Sequence, residues 1–145
     1  KMMTRSFMDT DILIQNSQNK SLQEIVNESG HMALRDIEEQ VLLKIQRKNH
    51  VIATGGSAAY SEPAMLHLGN NGIFVFLHAD MAALNTRIHN YETRGLAKRP
   101  DQTFQDLFDE RLAERYADIT IESSNLTQDQ VCDAIVEKLY QIRKN

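Results

Sequence analysis

The sequence predicts an α/β fold in which a parallel sheet is flanked by helices. Short apolar segments typical of strands alternate with longer segments whose apolar residues recur at helical spacing. In addition, residues 73–77 are continuously apolar, which is typical of a strand in a parallel sheet covered on both faces. No internal repeat or Pro/Gly-rich linker divides the 145 residues, so we expect a single domain over residues 1–145.

The first third of the chain predicts one strand followed by two helices. The strand is expected at Ser6–Asp9 and the first helix at residues 11–16. Ser21 and Glu24 have the spacing of a capping box, so a second helix should begin there, and Gly30 should interrupt it. Beyond the glycine, apolar residues recur on one helical face, namely Leu34, Ile37, Val41, Leu42 and Ile45.

The rest of the chain continues the alternation of strands and helices. A cap at Asp80 predicts a helix carrying Met81, Leu84 and Ile88. The other expected elements are strands at residues 50–54, 72–78 and 117–121, and helices at residues 62–68, 103–115 and 127–142. The last helix should turn Val131, Ile135, Leu139 and Ile142 inward.

Composition narrows the class of protein. The 16 Lys and Arg residues against 20 Asp and Glu residues give a net charge of -4, which argues against a general nucleic-acid surface. Cys132 is the single cysteine, which excludes a disulfide framework and favours a reducing compartment. The sequence shows neither an apolar run long enough to span a membrane nor a signal peptide, so we expect a cytoplasmic protein.

Three short segments carry the groups of a ligand site. The β-branched run at residues 51–54 ends in two glycines, which allow a tight turn whose amides approach a ligand closely. Asp9 and Asp11 are two residues apart on a segment expected to be extended, so both carboxylates should face one side. Arg35 and Glu38 are three apart on a predicted helix, where such spacing is usually an exposed ion pair.

Together these segments resemble the substrate side of a shikimate kinase, and the resemblance covers nearly the whole chain. Members of that family are P-loop enzymes of the nucleoside-monophosphate-kinase type. They transfer the ATP γ-phosphoryl group to the 3-hydroxyl of shikimate, a step of aromatic amino-acid biosynthesis. Five family motifs have counterparts here in the same order. Asp-x-Asp is matched by Asp9-Thr10-Asp11, Phe-Arg-x-x-Glu by Leu34-Arg35-Asp36-Ile37-Glu38, and Gly-Gly-Gly by Gly55-Gly56-Ser57. Arg-Pro is matched by Arg99-Pro100, and Glu-Arg by Glu110-Arg111.

The resemblance implies separate roles for the two aspartates. Asp9 would lie near Mg²⁺, through coordinated water, while Asp11 would accept a hydrogen bond from the acceptor hydroxyl and act as its base. The alternative is that Asp9 and Asp11 are only strand-end and helix-capping acids.

The resemblance also implies a site for the shikimate carboxylate. Arg35 and Arg111 would bind it, because a guanidinium matches a carboxylate bidentately. Gly55 and Gly56 would add backbone contacts to the substrate, and Glu38 would hold the Arg35 guanidinium in position. The chain is about two residues shorter than the family just after Arg111, so this arginine would need a loop adjustment to face the substrate.

A basic segment at about residues 91–102 resembles the family's lid. Arg99, which precedes a proline as the family's lid arginine does, would neutralise charge on the transferred phosphoryl group, and Arg87 would contact the nucleotide. Arg94 fits the more common spacing from Arg87 but is followed by Gly95. The alternative is a solvated basic loop.

The sequence departs from the family most strongly in its phosphate-binding motif. No Gly-x-x-x-x-Gly-Lys-Ser/Thr occurs in the 145 residues, and the resemblance puts the family's central strand and phosphate loop before Lys1. In the family's strand order, 2-3-1-4-5, a missing first strand would leave unpaired backbone groups mid-sheet. We therefore expect these residues alone to be inactive. A protein that includes the loop should be monomeric, whereas one without it would need to close its sheet in some other way, such as strand exchange with a partner.

Two smaller departures lie in the motifs themselves. Leu34 replaces the phenylalanine of Phe-Arg-x-x-Glu and Ser57 replaces the third glycine of Gly-Gly-Gly, and neither change removes a charge.

Two alternative functions stay open. One is another small-molecule P-loop kinase, for gluconate or a nucleotide, against which the Arg-x-x-Glu segment argues. The other is a catalytically inactive substrate-binding or regulatory fragment.

Overall fold

The computed structural model describes residues 3–87 and 112–144. The expected lid at residues 91–102, with Arg94 and Arg99, lies outside the described residues, and so does Arg111. The described elements are, in order, β1 (Ser6–Asp9), α1 (Thr10–Gln18), α2 (Leu22–Leu43), β2 (His50–Ala53), a 3-10 turn (Gly56–Tyr60), α3 (Glu62–Gly69), β3 (Val75–His78), α4 (Met81–Arg87), a second 3-10 turn (Ala113–Tyr116), β4 (Ile119–Glu122) and α5 (Gln128–Lys144).

The four described strands form two parallel pairs. β1 pairs with β2, with Ser6 opposite His50, and β3 pairs with β4, with Val75 opposite Ile119. Each pair is a separate two-stranded sheet in the described part of the chain. Parallel strands joined through helices confirm the predicted fold class.

Local sequence signals set where the helices begin and bend. At the start of α2, Ser21 Oγ accepts a hydrogen bond from the Glu24 amide, and the Glu24 carboxylate accepts one from the Ser21 amide, which confirms the capping box. Gly30 interrupts this helix with a φ of 86°, a left-handed conformation that favours glycine. Asp80 Oδ1 accepts from the Ala83 amide at 2.7 Å, as expected of the cap of α4.

Two clusters of buried side chains hold α2 between its neighbours. One joins α1 to α2 and contains Ile14, Ile25 and Leu34. The other joins the C-terminal part of α2 to the first 3-10 turn and α3 and contains Leu42, Ile45, Ala58, Ala64 and Met65. Because α2 is packed on both sides, the face that carries Arg35 and Glu38 has a fixed direction.

The prediction of a strand covered on both faces is wrong for β3. Leu77 is 48% exposed, and the neighbouring β4 alternates between buried Ile119 and Ile121 and exposed residues. The register pairs Leu77 with Ile121, so the two side chains share a face on which Ile121 is covered and Leu77 is not, and the continuous apolar run of β3 did not indicate complete cover.

Two helix predictions also need correction. The helix expected through Arg115 is a 3-10 turn over Ala113–Tyr116 in its described part. In α5, Val131, Ile135 and Leu139 are half-buried, but Ile142 is 42% exposed. Ile142 is exposed because α5 is much longer than the strand it packs on, with 17 residues against 4 in β4. At about 1.5 Å and 3.3 Å per residue, the helix is roughly twice as long as the strand it packs on.

Candidate active site

Asp9 and Asp11 meet at the N-terminus of α1. Asp9 is the last residue of β1 and caps the helix, because its Oδ1 accepts a hydrogen bond from the Asp11 amide at 2.9 Å. Asp11 lies in the first helical turn, so the prediction that both lie on one extended segment is wrong. The cap turn brings the two residues together instead. The positive end of the helix dipole stabilises negative charge there.

The glycine turn after β2 approaches this helix start closely. A Cβ built on Gly55 would lie 3.2 Å from Asp11 Oδ1 and 3.4 Å from Glu38 Oε1, so a side chain at this position would crowd both carboxylates. The predicted close approach of the turn is therefore present at Gly55. At Gly56 an added Cβ would meet nothing within 4 Å in the described part of the chain, so none of the described neighbours requires a glycine there.

Glu38 is a buried carboxylate and not the exposed partner of Arg35 that its spacing usually indicates. It is 3% exposed and lies between Leu34 and Leu42 in the inward stripe of α2. Its Oε2 accepts a hydrogen bond from Ser57 Oγ, while its Oε1 has no hydrogen-bond partner in the part of the chain that the structure describes.

Burial is the main reason that the pKa of Glu38 is raised to about 7. The Ser57 hydrogen bond and the positive charge of Arg35 lower this pKa, and the negative charge of Asp11 raises it. Arg35, Asp11 and Ser57 therefore all act on one carboxylate. Glu38 changes charge near neutral pH, which an exposed glutamate does not do.

Arg35 lies over an aromatic ring beside a small pocket. Its guanidinium carbon is 3.6 Å from the centroid of the Tyr60 ring. The pocket has a volume of about 170 Å³ and is lined by Met32, Arg35, Asp36, Glu38, Glu39, Ser57, Tyr60 and Ser61. Its charged lining mixes one arginine with three acids, which suits a polar ligand bearing both an anion and hydroxyls.

Two serines attach the first 3-10 turn to α2. Ser57 donates to Glu38 at the start of the turn, and Ser61, which follows it, donates to Glu39 Oε2 at 2.5 Å. Ser61 Oγ also accepts from the Ala64 amide as the cap of α3. The turn is thus held at both ends against the helix that carries Arg35.

Sequence reasoning missed the roles of Ser57 and Tyr60. Ser57 was treated only as a glycine replacement. Glu38 lies four residues from each of the inward residues Leu34 and Leu42, and this spacing indicates a buried carboxylate that needs a hydrogen-bond donor such as Ser57. Tyr60 had no comparable signal, because no spacing rule relates a later turn to a position on α2.

Arg87 lies apart from this group of residues, at the end of α4. It is exposed, and its Nη2 donates to the carbonyl oxygens of Ser123 and Ser124 at 2.8 and 3.0 Å. These residues follow β4, so Arg87 contacts the loop at the carboxyl end of the second sheet. Its expected contact with a nucleotide stays a prediction.

The described residues include no cluster of three or more His, Cys, Asp or Glu side chains that could hold a metal ion. Asp9 presents a single carboxylate, with one oxygen engaged by the helix cap. A single carboxylate suits Mg²⁺ that is bound mainly by phosphates and water, because such a metal ion requires as little as one protein carboxylate.

Among the helices that the structure describes, none has the length and apolar character of a membrane span.

Comparisons with known proteins identify relatives of the chain. The family model described as SKI, shikimate kinase, matches residues 1–140. A shikimate kinase from Caldanaerobacter subterraneus is 30% identical over 142 residues, which cover 95% of this chain and 83% of the relative. Another, from Rippkaea orientalis, is 34% identical over 143 residues, or 95% of this chain and 76% of the relative.

Solved structures show the same fold. The shikimate kinase from Acinetobacter baumannii, in complex with shikimate, has a TM-score of 0.80 and 29% identity, and the match covers 97% of this chain and 80% of that one. The shikimate kinase from Aquifex aeolicus has a TM-score of 0.77 and 25% identity, with 97% and 85% covered. On the combined evidence of sequence and fold, the chain belongs to the shikimate kinase family.

Proposed function

We propose that this chain provides the substrate-binding part of an ATP-dependent kinase that phosphorylates the 3-hydroxyl of shikimate. One observation carries the proposal. Asp11, Glu38 and Gly55 converge at the start of α1, with Arg35 acting on the same carboxylate, in a member of the shikimate kinase family. The relative from Acinetobacter baumannii, whose fold this chain shares, was solved in complex with shikimate.

Asp11 is the group assigned to the acceptor hydroxyl. Its Oδ1 faces the Gly55 turn, and its position in the first turn of α1 stabilises the charged carboxylate. A carboxylate that accepts the hydroxyl hydrogen bond orients the oxygen for attack on the γ-phosphorus of ATP. It takes the hydroxyl proton as the phosphate ester bond forms, while the bond from the γ-phosphorus to the bridging oxygen breaks and ADP leaves.

The substrate carboxylate is assigned to Arg35, with Arg111 as the second guanidinium. Arg35 lines the pocket beside the Gly55 turn, which supports this assignment. A guanidinium fork binds a carboxylate through two charge-assisted hydrogen bonds. The amides of Gly55 and Gly56 are assigned further contacts with the substrate.

Contacts with ATP are assigned to Arg87 and Arg99. Asp9 would orient the water shell of Mg²⁺, and the metal would neutralise phosphate charge during transfer. The proposal also includes a cytoplasmic location and a role in aromatic amino-acid synthesis. The protein would be a monomer when the phosphate-binding segment is present.

Calorimetric titration of the 145-residue chain with shikimate tests this function. We expect saturable binding that is strongly weakened for the methyl ester of shikimate, because the ester lacks the anion that Arg35 would bind. Equal binding of acid and ester would contradict the carboxylate assignment. Tighter binding of gluconate or a nucleotide would favour the alternative of another small-molecule kinase.

A further inference from the structure

Tyr60 determines where the Arg35 guanidinium lies. The guanidinium carbon is 3.6 Å from the Tyr60 ring centroid, well within the range at which a cation is attracted to an aromatic face. We propose that Tyr60 is a positioning residue for substrate recognition, which holds Arg35 so that its edge faces a carboxylate ligand. This inference rests on the proposed function, because it concerns the arginine assigned to the shikimate carboxylate.

The ring occupies its position independently of any ligand. Tyr60 ends the 3-10 turn, whose Ala58 and Ala59 are 2% and 4% exposed. Ser61 comes next and connects Glu39 on α2 to the first turn of α3. A short turn fixed by buried alanines on one side and by a bridging serine on the other presents Tyr60 in one place.

Such a support matters because Arg35 shares its pocket with acidic residues. Asp36, Glu38 and Glu39 line the same pocket, and each carboxylate attracts the guanidinium. Glu38 and Glu39 already accept hydrogen bonds from the two serines of the turn, which reduces their competition for the arginine.

A ring orients a guanidinium without using its donors. Stacking involves the face of the planar group, whereas its N–H groups point outward from the edge. Tyr60 can therefore restrict the rotation of Arg35 without itself engaging the N–H groups that form a bidentate pair with a carboxylate. Less rotational freedom is then lost when the ligand binds, which favours affinity.

The test compares shikimate binding by the wild-type chain with that of Tyr60→Ala, Tyr60→Phe and Tyr60→Leu, using calorimetry. Loss of a cation–π contact should raise the Kd about three- to tenfold in the Ala and Leu variants. The Phe variant keeps the ring and should bind shikimate more tightly than the Leu variant does. Equal Kd values for the Phe and Leu variants would overturn the inference, and this pair decides it even if Tyr60→Ala does not fold.

A double-mutant cycle separates positioning from general packing. In an Arg35→Ala background, Tyr60→Ala should cause no further loss of shikimate binding, because the group it positions is gone. An equal loss with and without Arg35 would reject the positioning role. If Arg35→Ala alone leaves binding unchanged, or if the wild-type chain does not bind shikimate, the proposed function is what fails.

An NMR measurement tests the stack without a ligand. The ring current of Tyr60 should displace the Arg35 side-chain N–H proton resonance in the wild-type chain and in Tyr60→Phe. In Tyr60→Leu the resonance should return towards the value of an exposed arginine, such as Arg47. An unchanged resonance in that variant would show that the ring does not hold Arg35.

Discussion

Ser57 Oγ donates a hydrogen bond to Glu38 Oε2, and so connects the glycine turn after β2 to a buried carboxylate in the middle of α2. In the family motif this position is a third glycine, which offers no side-chain donor. The serine is therefore more than a neutral replacement. It partly stabilises the charged form of a glutamate that burial would otherwise keep protonated.

Ser57→Ala should destabilise the chain by about 1–3 kcal/mol, because it leaves a second oxygen of Glu38 buried without a donor. The loss should be larger at about pH 8, where the carboxylate is charged, than at about pH 5. Urea unfolding at the two pH values measures this difference. Ser57→Thr, which keeps the hydroxyl, is the matched control, and a loss independent of pH would count against the interpretation.

Glu38→Gln should flatten the dependence of stability on pH. The pKa of Glu38 is about 7 in the folded protein and starts from 4.5, so the folded state retains a proton that the unfolded chain releases in this window. The free energy of unfolding of the wild type should therefore fall as pH rises from about 4.5 to about 7, by up to about 3 kcal/mol, and then level off.

The same unfolding series identifies the group responsible. The Gln variant cannot titrate, so this decline should be missing from its profile. Glu137→Gln, at an exposed position on α5, should keep the wild-type slope. Parallel profiles for wild type and Glu38→Gln would show that another group causes the decline.

Asp11→Asn should lower kcat strongly at every Mg²⁺ concentration, because the amide keeps the size of the side chain but cannot take the hydroxyl proton. Asp9→Asn should instead raise the Mg²⁺ requirement, so part of its defect should recover as the metal is increased. The assay uses this chain joined to a family phosphate-binding segment. Recovery by the Asp11 variant alone would reverse the assignment.

The 145 residues by themselves should neither hydrolyse ATP nor phosphorylate shikimate. They contain no Gly-x-x-x-x-Gly-Lys-Ser/Thr, the loop whose amides and lysine bind the β- and γ-phosphates. A coupled ADP-release assay measures both reactions, with the joined protein as the positive control. Phosphorylation by the purified 145 residues, with contaminating kinase excluded, would refute the prediction.

Signals between near neighbours in sequence predicted much of this molecule. The capping box at Ser21, the cap at Asp80 and the break at Gly30 each depend on a few adjacent residues, and all are present. Family motifs identified the segments of the site. Contacts between distant segments were not predictable, because neither the Tyr60–Arg35 contact nor the Ser57–Glu38 bond follows from local spacing. The exposure of Leu77 likewise depends on what lies over its strand.

The break at Gly30 has a mechanical consequence for the site. Ile25, before the break, packs with Ile14 of α1, whereas Leu42, after it, packs against the 3-10 turn and α3. An unbroken helix transmits a displacement along its length through hydrogen bonds between successive turns. At Gly30 that continuity is lost, because its φ of 86° is not helical. Leu34, beside Arg35, packs with Ile14 and Ile25 across the break, so a displacement of α1 reaches the site through side-chain packing and not through helix hydrogen bonds.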